Sequence, residues 1–528
     1  MGIDYWYDNF FWPIDPYEYQ NLWIEIEKSY YNFAKQIDSP YKEILFGIYK
    51  VILNIAQLSY PILLHTKSKK YNYKLMFNEK SLYNELINSK ELNLNNSFAE
   101  FFSYPTGFGK IQFNSKLIAK LFLQGKLHRS IPQCFAGKKY FALKSNNPIM
   151  KRFIKQNNIK PVFLPFGLLS VKFNKISEPK WDRISNELFN CIYNKIENYC
   201  GKLTKYQSES ISNIYKDNMN LSFSYFMHMN EYLSKYKQIE NYIYITDMLG
   251  HPLNKLFIQA LRNNGAKVIG ISHSNGFARP QSVNVITNEM ILTDQYILGS
   301  NHEKTVFSFY IDQYKKLYNY LPNIDDSIIK TVKSIYSKVN DNRENQTGYK
   351  LDIKKMMVIG APYTPFESQN TPVGHGIKWF YLERKVISLL KSSGFHIIYK
   401  PHPDRLKEVE NIFNGRVDEI ITGRFENDGV WNLADCYVNM TWGGTAYGYS
   451  LRTSRPSIII NTPGADWPPY LLDLIKRRYL FVETKYEKNN GISVVMDDWN
   501  KAISSLKNND LVSQKLESTQ EEFDRILD

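Results

Sequence analysis

Two short segments in the last third of the chain carry residue types that hold anions. The first is Tyr399-Lys400-Pro401-His402-Pro403-Asp404, and the second is Thr441-Trp442-Gly443-Gly444-Thr445. A histidine fixed between two prolines, just past the apolar run 395–399, is a hydrogen-bond donor held at the end of a strand. A loop of hydroxyls and glycines that opens a helix is a cluster of backbone N–H donors, and the helix dipole adds to its pull on negative charge. The second segment leads on through Arg455-Pro456 into another apolar run, 457–460. Together the two read as a cradle for a phosphate, with Lys400, His402, Pro403, Thr441, Gly443, Gly444 and Thr445 as its lining. There an imidazole can donate to a phosphate oxygen and offset charge on a departing nucleotide.

A third segment, Ser272-His273-Ser274-Asn275-Gly276-Phe277-Ala278-Arg279-Pro280, follows an apolar run that ends at Ile271. A neutral imidazole at His273 has a suitable pKa to act as general base on an acceptor hydroxyl. Arg279 can hold a carboxylate or phosphate, and Asn275 stands between the two. Glu289 and Asp294, downstream, are further candidates for the base or for a carboxylate that orients it. His273 reads equally well as a solvated loop histidine, and the two acids as ordinary surface carboxylates. The stretch 106–110, Thr-Gly-Phe-Gly-Lys, lacks the spacing of a Walker A loop and reads as a turn, and no GxGxxG signature is present. His375, between two glycines, reads as a loop histidine.

The elements that must position these residues alternate in type. An apolar run at 242–245, a helical pattern at 253–263 closed by Gly265, and a second run at 267–271 make a βαβ unit. Such a unit implies a parallel sheet with ligands at the carboxyl ends of its strands. After a polar linker at 337–350 the pattern repeats: strands at 356–360, 396–399, 435–439 and 457–460, with a helix at 379–392 stopped by Gly394. The expected fold class is therefore α/β, with two Rossmann-like domains facing a cleft and a mostly helical N-terminal extension. The expected boundaries are 1–85 for the helical region, 86–336 for an acceptor domain, 351–480 for a nucleotide-sugar domain and 481–528 for C-terminal helices.

Composition limits the partners. The chain has 528 residues, 43% of them hydrophobic, and a net charge of +14. That balance points to an anionic partner such as an acidic glycan or an anionic membrane surface. The charge comes in short pieces, such as Lys67-Ser68-Lys69-Lys70 and Lys476-Arg477-Arg478, so no nucleic-acid arm is expected. The four cysteines have no metal-ligand or redox spacing, so no metal and no cofactor are expected and a reducing compartment is. Residues 1–21 lack the basic start and apolar run of a signal peptide. The apolar stretch 44–64 is interrupted by Lys50, Asn54, Gln57 and Pro61, and reads as a buried or interfacial helix instead of a span.

On these residues the chain resembles bacterial surface-carbohydrate and capsule biosynthesis transferases, a group that includes Kdo- and sialyl-transferase-like enzymes of the GT-B fold. In that group an HP motif binds the nucleotide phosphate, and His402-Pro403 looks like it. A downstream Ser/Thr motif does likewise, and Thr441 with Thr445 fall in its place. The loop from Asn275 to Pro280 looks like the family's acidic-Gly-aromatic loop ending in Arg-Pro. The resemblance covers roughly residues 240–460. It implies a cytoplasmic glycosyltransferase, with attachment to the inner-membrane surface left open. Such an enzyme moves a Kdo- or sialic-acid-like sugar from a CMP-type nucleotide donor to a surface-polysaccharide, lipopolysaccharide or lipid-linked acceptor. Where many members carry a carboxylate before the glycine, this chain has Ser274 and Asn275. That departure makes it similar also to CDP-polyol phosphotransferases of teichoic-acid type, which use a histidine there. It leaves open a non-catalytic protein that binds nucleotide or glycan.

Overall fold

The computed structural model describes residues 14, 16–70, 139–143, 145–164, 175–235, 239–272, 286–317, 324, 326–334, 352–360, 376–402, 413–423, 430–440, 445–453, 455–462, 467–487 and 491–527. The chain opens with three helices, α1 (Pro16–Lys35), α2 (Tyr41–Gly47) and α3 (Tyr49–Lys70). The first α/β half follows: β1 (Lys139–Leu143), α4 (Pro148–Gln156), β2 (Val162–Leu164), α5 (Pro179–Cys200) and α6 (Lys205–Ser234). It continues through β3 (Tyr242–Thr246), α7 (Pro252–Asn263), β4 (Lys267–Ile271), β5 (Gln295–Leu298), α8 (Asn301–Leu317) and β6 (Ile329–Thr331). The second half begins with β7 (Lys355–Ile359), α9 (Gly376–Ser392), β8 (His396–Lys400), β9 (Glu419–Ile420), β10 (Cys436–Asn439) and α10 (Thr445–Ser450). It ends with β11 (Ser457–Asn461), α11 (Pro469–Arg478), β12 (Leu480–Glu487), β13 (Gly491–Val494), α12 (Met496–Lys507), α13 (Asn509–Ser518) and α14 (Gln520–Leu527).

The first sheet has the order β2-β1-β3-β4-β5-β6 and the second β13-β12-β11-β10-β7-β8-β9. All the pairings are parallel except β12 with β13. The fold is thus the two-sheet, Rossmann-like α/β arrangement expected. Because side chains alternate across a strand, each sheet feeds two cores. In β3, Tyr242 and Tyr244 pack with the large helices, whereas Ile243 and Ile245 pack with Ile149, Met150 and Phe153 of α4. In β7, Met356 and Val358 face α9 and α12, while Met357 and Ile359 face Val430 and Tyr449. The glycines that close α7 and α9, Gly265 and Gly394, both have φ of +88°, a left-handed conformation that only glycine adopts cheaply.

The N-terminal helices have no core of their own. They join α5, α6 and α7 in one apolar cluster with the first sheet. Tyr41 stacks on Trp181 at 6.3 Å, and Trp181 on Phe223 at 5.0 Å. The stretch 44–64 forms α2 and most of α3, where Ile44, Leu45, Ile52, Ile55 and Leu58 are buried. Among the described residues no helix is long and apolar enough to cross a membrane. At the other end, the expected boundary at 480 coincides with the first residue of β12, and the second sheet runs on to β13 before the last helices begin.

The fold pairs several cations of the two conspicuous basic runs, although Lys69 and Lys70 stay exposed. Lys67 pairs with Glu18 at 2.6 Å. Arg477 pairs with Asp473 at 2.8 Å and Glu522 at 2.7 Å, and Lys476 with Glu483 at 3.2 Å. Arg478 is only 3% exposed: it donates to the Leu516 carbonyl, Thr519 and Gln520, and lies 4.0 Å from the Phe523 ring. It ties α11 to α13 and α14, and α14 packs back on α8 of the first half.

Deleting residues 1–70 should therefore not yield a trimmed, well-folded protein. Trp181, Phe223 and their neighbours would face water, and the expected product binds ANS and loses its near-ultraviolet dichroism. A deletion variant that unfolds as cooperatively as the full chain would show that α1–α3 are an independent unit.

Candidate functional site

In a parallel sheet the polar loops that can reach a ligand leave from the carboxyl ends of the strands, at the point where the strand order reverses. In the second sheet that point is β7, with β8 on one side and β10 on the other. Ile359, at the end of β7, is level with Lys400 of β8 and Asn439 of β10. The Gly360 amide donates to the Lys400 carbonyl at 3.0 Å, and the Met440 amide to the Ile359 carbonyl at 3.2 Å. The two phosphate motifs begin there. Half-buried His402 follows β8 by two residues, and the 441–444 loop follows β10 by two and leads into α10 at Thr445. Strand spacing sets the two exits about 10 Å apart, straddling β7. Pro403, Thr441, Gly443 and Gly444 lie outside the described residues, as does the side chain of Thr445.

Several groups around this edge have roles the sequence did not suggest. Lys400, expected as a phosphate ligand, is buried, and its ammonium donates to the Pro401 carbonyl at 3.1 Å. Tyr399 donates to the buried Glu383 at 2.9 Å. A Cβ on Gly360 would fall 2.3 Å from the Tyr399 hydroxyl, so glycine is required there for space. Asn439 is fully buried at the end of β10; its side-chain oxygen accepts from Ser450 at 3.0 Å, and among the described residues its Nδ2 has no hydrogen-bond partner. A buried donor left unsatisfied is costly, so this amide is suited to a group entering beside the 441–444 loop. Its one sequence signal is an asparagine closing an apolar strand. Arg455 is structural: it donates to the Ala434 carbonyl and, at 2.9 Å, to Asn432 ahead of β10.

The first sheet reverses its order between β1 and β3. Asp247, one residue past β3, is 5% exposed and accepts from Ser145, just past β1, at 2.5 Å. Asn147 caps α4 and donates to the Ser272 carbonyl at 2.8 Å, which draws the ends of β1 and β4 together. His273, Asn275, Arg279 and also His375 lie outside the described residues. Glu289 accepts from the Tyr296 hydroxyl, and that hydroxyl also bonds Ser272, the residue before His273. Burial, then Glu289, pushes the Tyr296 phenol far above its ordinary range, so it remains a donor. Asp294 stands at the wrong edge for chemistry. It precedes β5, accepts from the Val268 amide at 2.7 Å and faces Arg262 at 3.4 Å, at the amino end of the sheet.

The start of α8 adds another residue that sequence reasoning missed. Ser300 accepts from the Glu303 amide at 3.2 Å, and the buried Glu303 carboxylate accepts from the Gly299 amide at 2.5 Å. A carboxylate thus already occupies this helix N-terminus, which makes it a poor seat for a phosphate. His302 beside it is buried, and its ring meets Tyr470 of α11 edge-on, with centroids 6.0 Å apart. This contact joins the two halves at the carboxyl ends of β5 and β11. Among the described residues His302 Nε2 has no hydrogen-bond partner, and burial lowers the ring's pKa to about 4.

Comparison with known proteins gives little. No family model matches the chain, and no curated protein matches it. Among solved structures, one similar chain is a protein of Listeria monocytogenes assigned as a UDP-N-acetylglucosamine 2-epimerase. It is 10% identical over 72% of this chain and 82% of its own, with a TM-score of 0.30. A similarity that weak assigns neither activity nor substrate.

His302 makes stability depend on pH. At neutral pH the ring is uncharged in both folded and unfolded states. Below about 6.5 the unfolded ring takes up a proton that the folded ring refuses until about 4, so stability falls across that window as pH falls. The full window is worth on the order of 3 kcal/mol. Urea unfolding at several pH values should show the wild type losing more stability than His302→Leu between these limits. Equal losses would mean that the imidazole is not held neutral.

Proposed function

We propose that this protein is a glycosyltransferase that moves a sugar from a nucleotide donor to a glycan or lipid-linked acceptor. The observation that carries the proposal is that β8, which leads to His402, and β10, which leads to residues 441–444, flank β7, where the strand order reverses. The donor phosphates lie across the end of β7, accept from the imidazole and the loop amides, and are drawn to Asn439 Nδ2. The carboxyl edge of the first sheet is acidic: Asp247 and Glu303 are buried there. That edge disfavours phosphate and suits a hydroxyl acceptor.

In the reaction, a base at the first edge takes the proton of the acceptor hydroxyl. The oxygen forms a bond to the anomeric carbon, and the bond from that carbon to the phosphate oxygen breaks. The charge left on the nucleotide is met by His402 and the loop N–H groups. His273 is the first candidate base, and Asp247 is the carboxylate at the same edge. The Glu289–Tyr296–Ser272 chain ends at the residue before His273 in sequence, and in this reading Glu289 has a positioning role. A CMP-linked, Kdo- or sialic-acid-like donor and a capsule or lipopolysaccharide acceptor are the finer form of this reading, resting on the HP motif.

Calorimetric titration with CMP, CDP, UDP and GDP tests the donor site. His402→Ala should weaken the preferred nucleotide by about 1.5–3 kcal/mol, as for a lost hydrogen bond to a charged group. Unchanged affinity would remove His402 from the site. With a donor in hand, either His273→Ala or Asp247→Asn should slow turnover by about 10²–10⁴-fold with nucleotide affinity kept. Normal rates in both variants would rule out a base at this edge. Turnover of a CDP-polyol in place of a sugar nucleotide would transfer the mechanism to a phosphate ester.

A further inference from the structure

One aromatic ring is left half open where the two halves meet. The tyrosines that serve the cores, such as Tyr244, Tyr296, Tyr399 and Tyr447, are covered. Among the described residues the exposed large aromatic side chains are Phe163, on the edge strand β2, and Tyr470, which is 41% exposed. Tyr470 is the second residue of α11, so it stands at the carboxyl edge of the second sheet, past the end of β11.

Its place is fixed on several sides. Pro468 and Pro469 open the helix, and their rings set the backbone there. Trp467 is buried, meets Phe481 edge-on at 6.1 Å and donates to Asn461 at 2.9 Å, which ties the start of α11 to β11 and β12. Leu471, Leu474 and Ile475 carry the other side of α11 into the apolar cluster of the first half. From that half, His302 meets the Tyr470 ring edge-on at 6.0 Å. His302 is buried there with Nε2 unpartnered among the described residues, a costly arrangement that a leucine at 302 would avoid. The fold thus holds a polar ring and an open ring together at the junction of the halves. The position suits a sugar. β11 is two strands from β7, roughly 10 Å along the sheet, and β5, which leads to His302, is next to β4, which leads to residue 273. The contact therefore lies within a sugar nucleotide's reach of the end of β7.

We infer that the open face of Tyr470 is the platform on which the sugar ring of the substrate lies, an inference that rests on the sugar-transfer reading above. The face of a phenol ring is its negative side, and the C–H groups on one face of a pyranose are the matching partner. The sugar lies flat on the ring, with its hydroxyls turned outward. A ring already pinned gives up little freedom when the sugar arrives, so the contact adds affinity at small entropic cost.

The test uses the full-length protein, first without nucleotide. In saturation-transfer NMR with methyl glycosides of N-acetylglucosamine and N-acetylneuraminic acid, at least one glycoside should receive magnetisation from the wild type, chiefly through the protons of one ring face. The signal should persist in Tyr470→Phe and vanish in Tyr470→Leu, with both variants melting as the wild type does. A second arm places the ring along the donor. By calorimetry, UDP-N-acetylglucosamine or CMP-N-acetylneuraminate should bind Tyr470→Leu roughly two- to tenfold more weakly, while UDP and CMP keep their affinity. A wild type that takes the glycoside but no nucleotide would leave this platform standing and sink the phosphate seat instead. The inference is overturned if no glycoside binds, or if Tyr470→Leu keeps the glycoside signal. It is overturned also if that variant weakens the bare nucleotide as much as the sugar nucleotide, which would assign the ring to the base.

Discussion

The parallel pairing of β7 with β8 on one side and β10 on the other is the constraint on which the rest of the structure depends. It makes three strand ends level, so that two loops separated in sequence leave the sheet side by side. Parallel strands need helical crossovers, and the crossovers cover both faces of the sheet. Polar chemistry is then confined to the strand ends. The carboxyl edge is where backbone N–H groups and short polar side chains meet at the reversal of strand order. Gly360 shows how tightly this edge is built, because the Tyr399–Glu383 pair leaves no room for a Cβ beside it.

The first sheet repeats the plan with opposite electrostatics. Its reversal point carries Asp247 held by Ser145, and Glu303 fills the N-terminus of α8. The two halves meet through His302 and Tyr470, and through α14 packed on α8. Burial lowers the His302 pKa to about 4, so at neutral pH the contact between the halves carries no charge there.

The βαβ periodicity around 242–271 and 356–400 was legible because apolar runs, helical spacing and stop glycines agree with one another there. Gly265 and Gly394 mark helix ends by a left-handed φ, as their positions implied. That the N-terminal helices share the core of the first half was not legible, since an amphipathic pattern is the same whether its partner is a neighbouring helix or another layer. β12 was missed because its outer half is polar, and residues Glu483 to Tyr486 are partly exposed at the sheet's far side. Among candidate residues, Asp294 failed for a reason visible in the sequence. It stands just before a parallel strand, and that places it at the amino edge. His302 could not be read in advance, because its burial comes from Tyr470 on a distant helix. Nor could Arg478, which looked like surface charge and proved to be a buried tie.

The central claim is that a nucleotide's phosphates rest across the end of β7. A crystal structure of the protein with its preferred nucleotide would test it most directly. The account predicts phosphate oxygens within hydrogen-bond distance of the His402 ring and of the amides in the 441–444 loop. Phosphates seated at the first sheet's edge, beside Asp247 and Glu303, would contradict it.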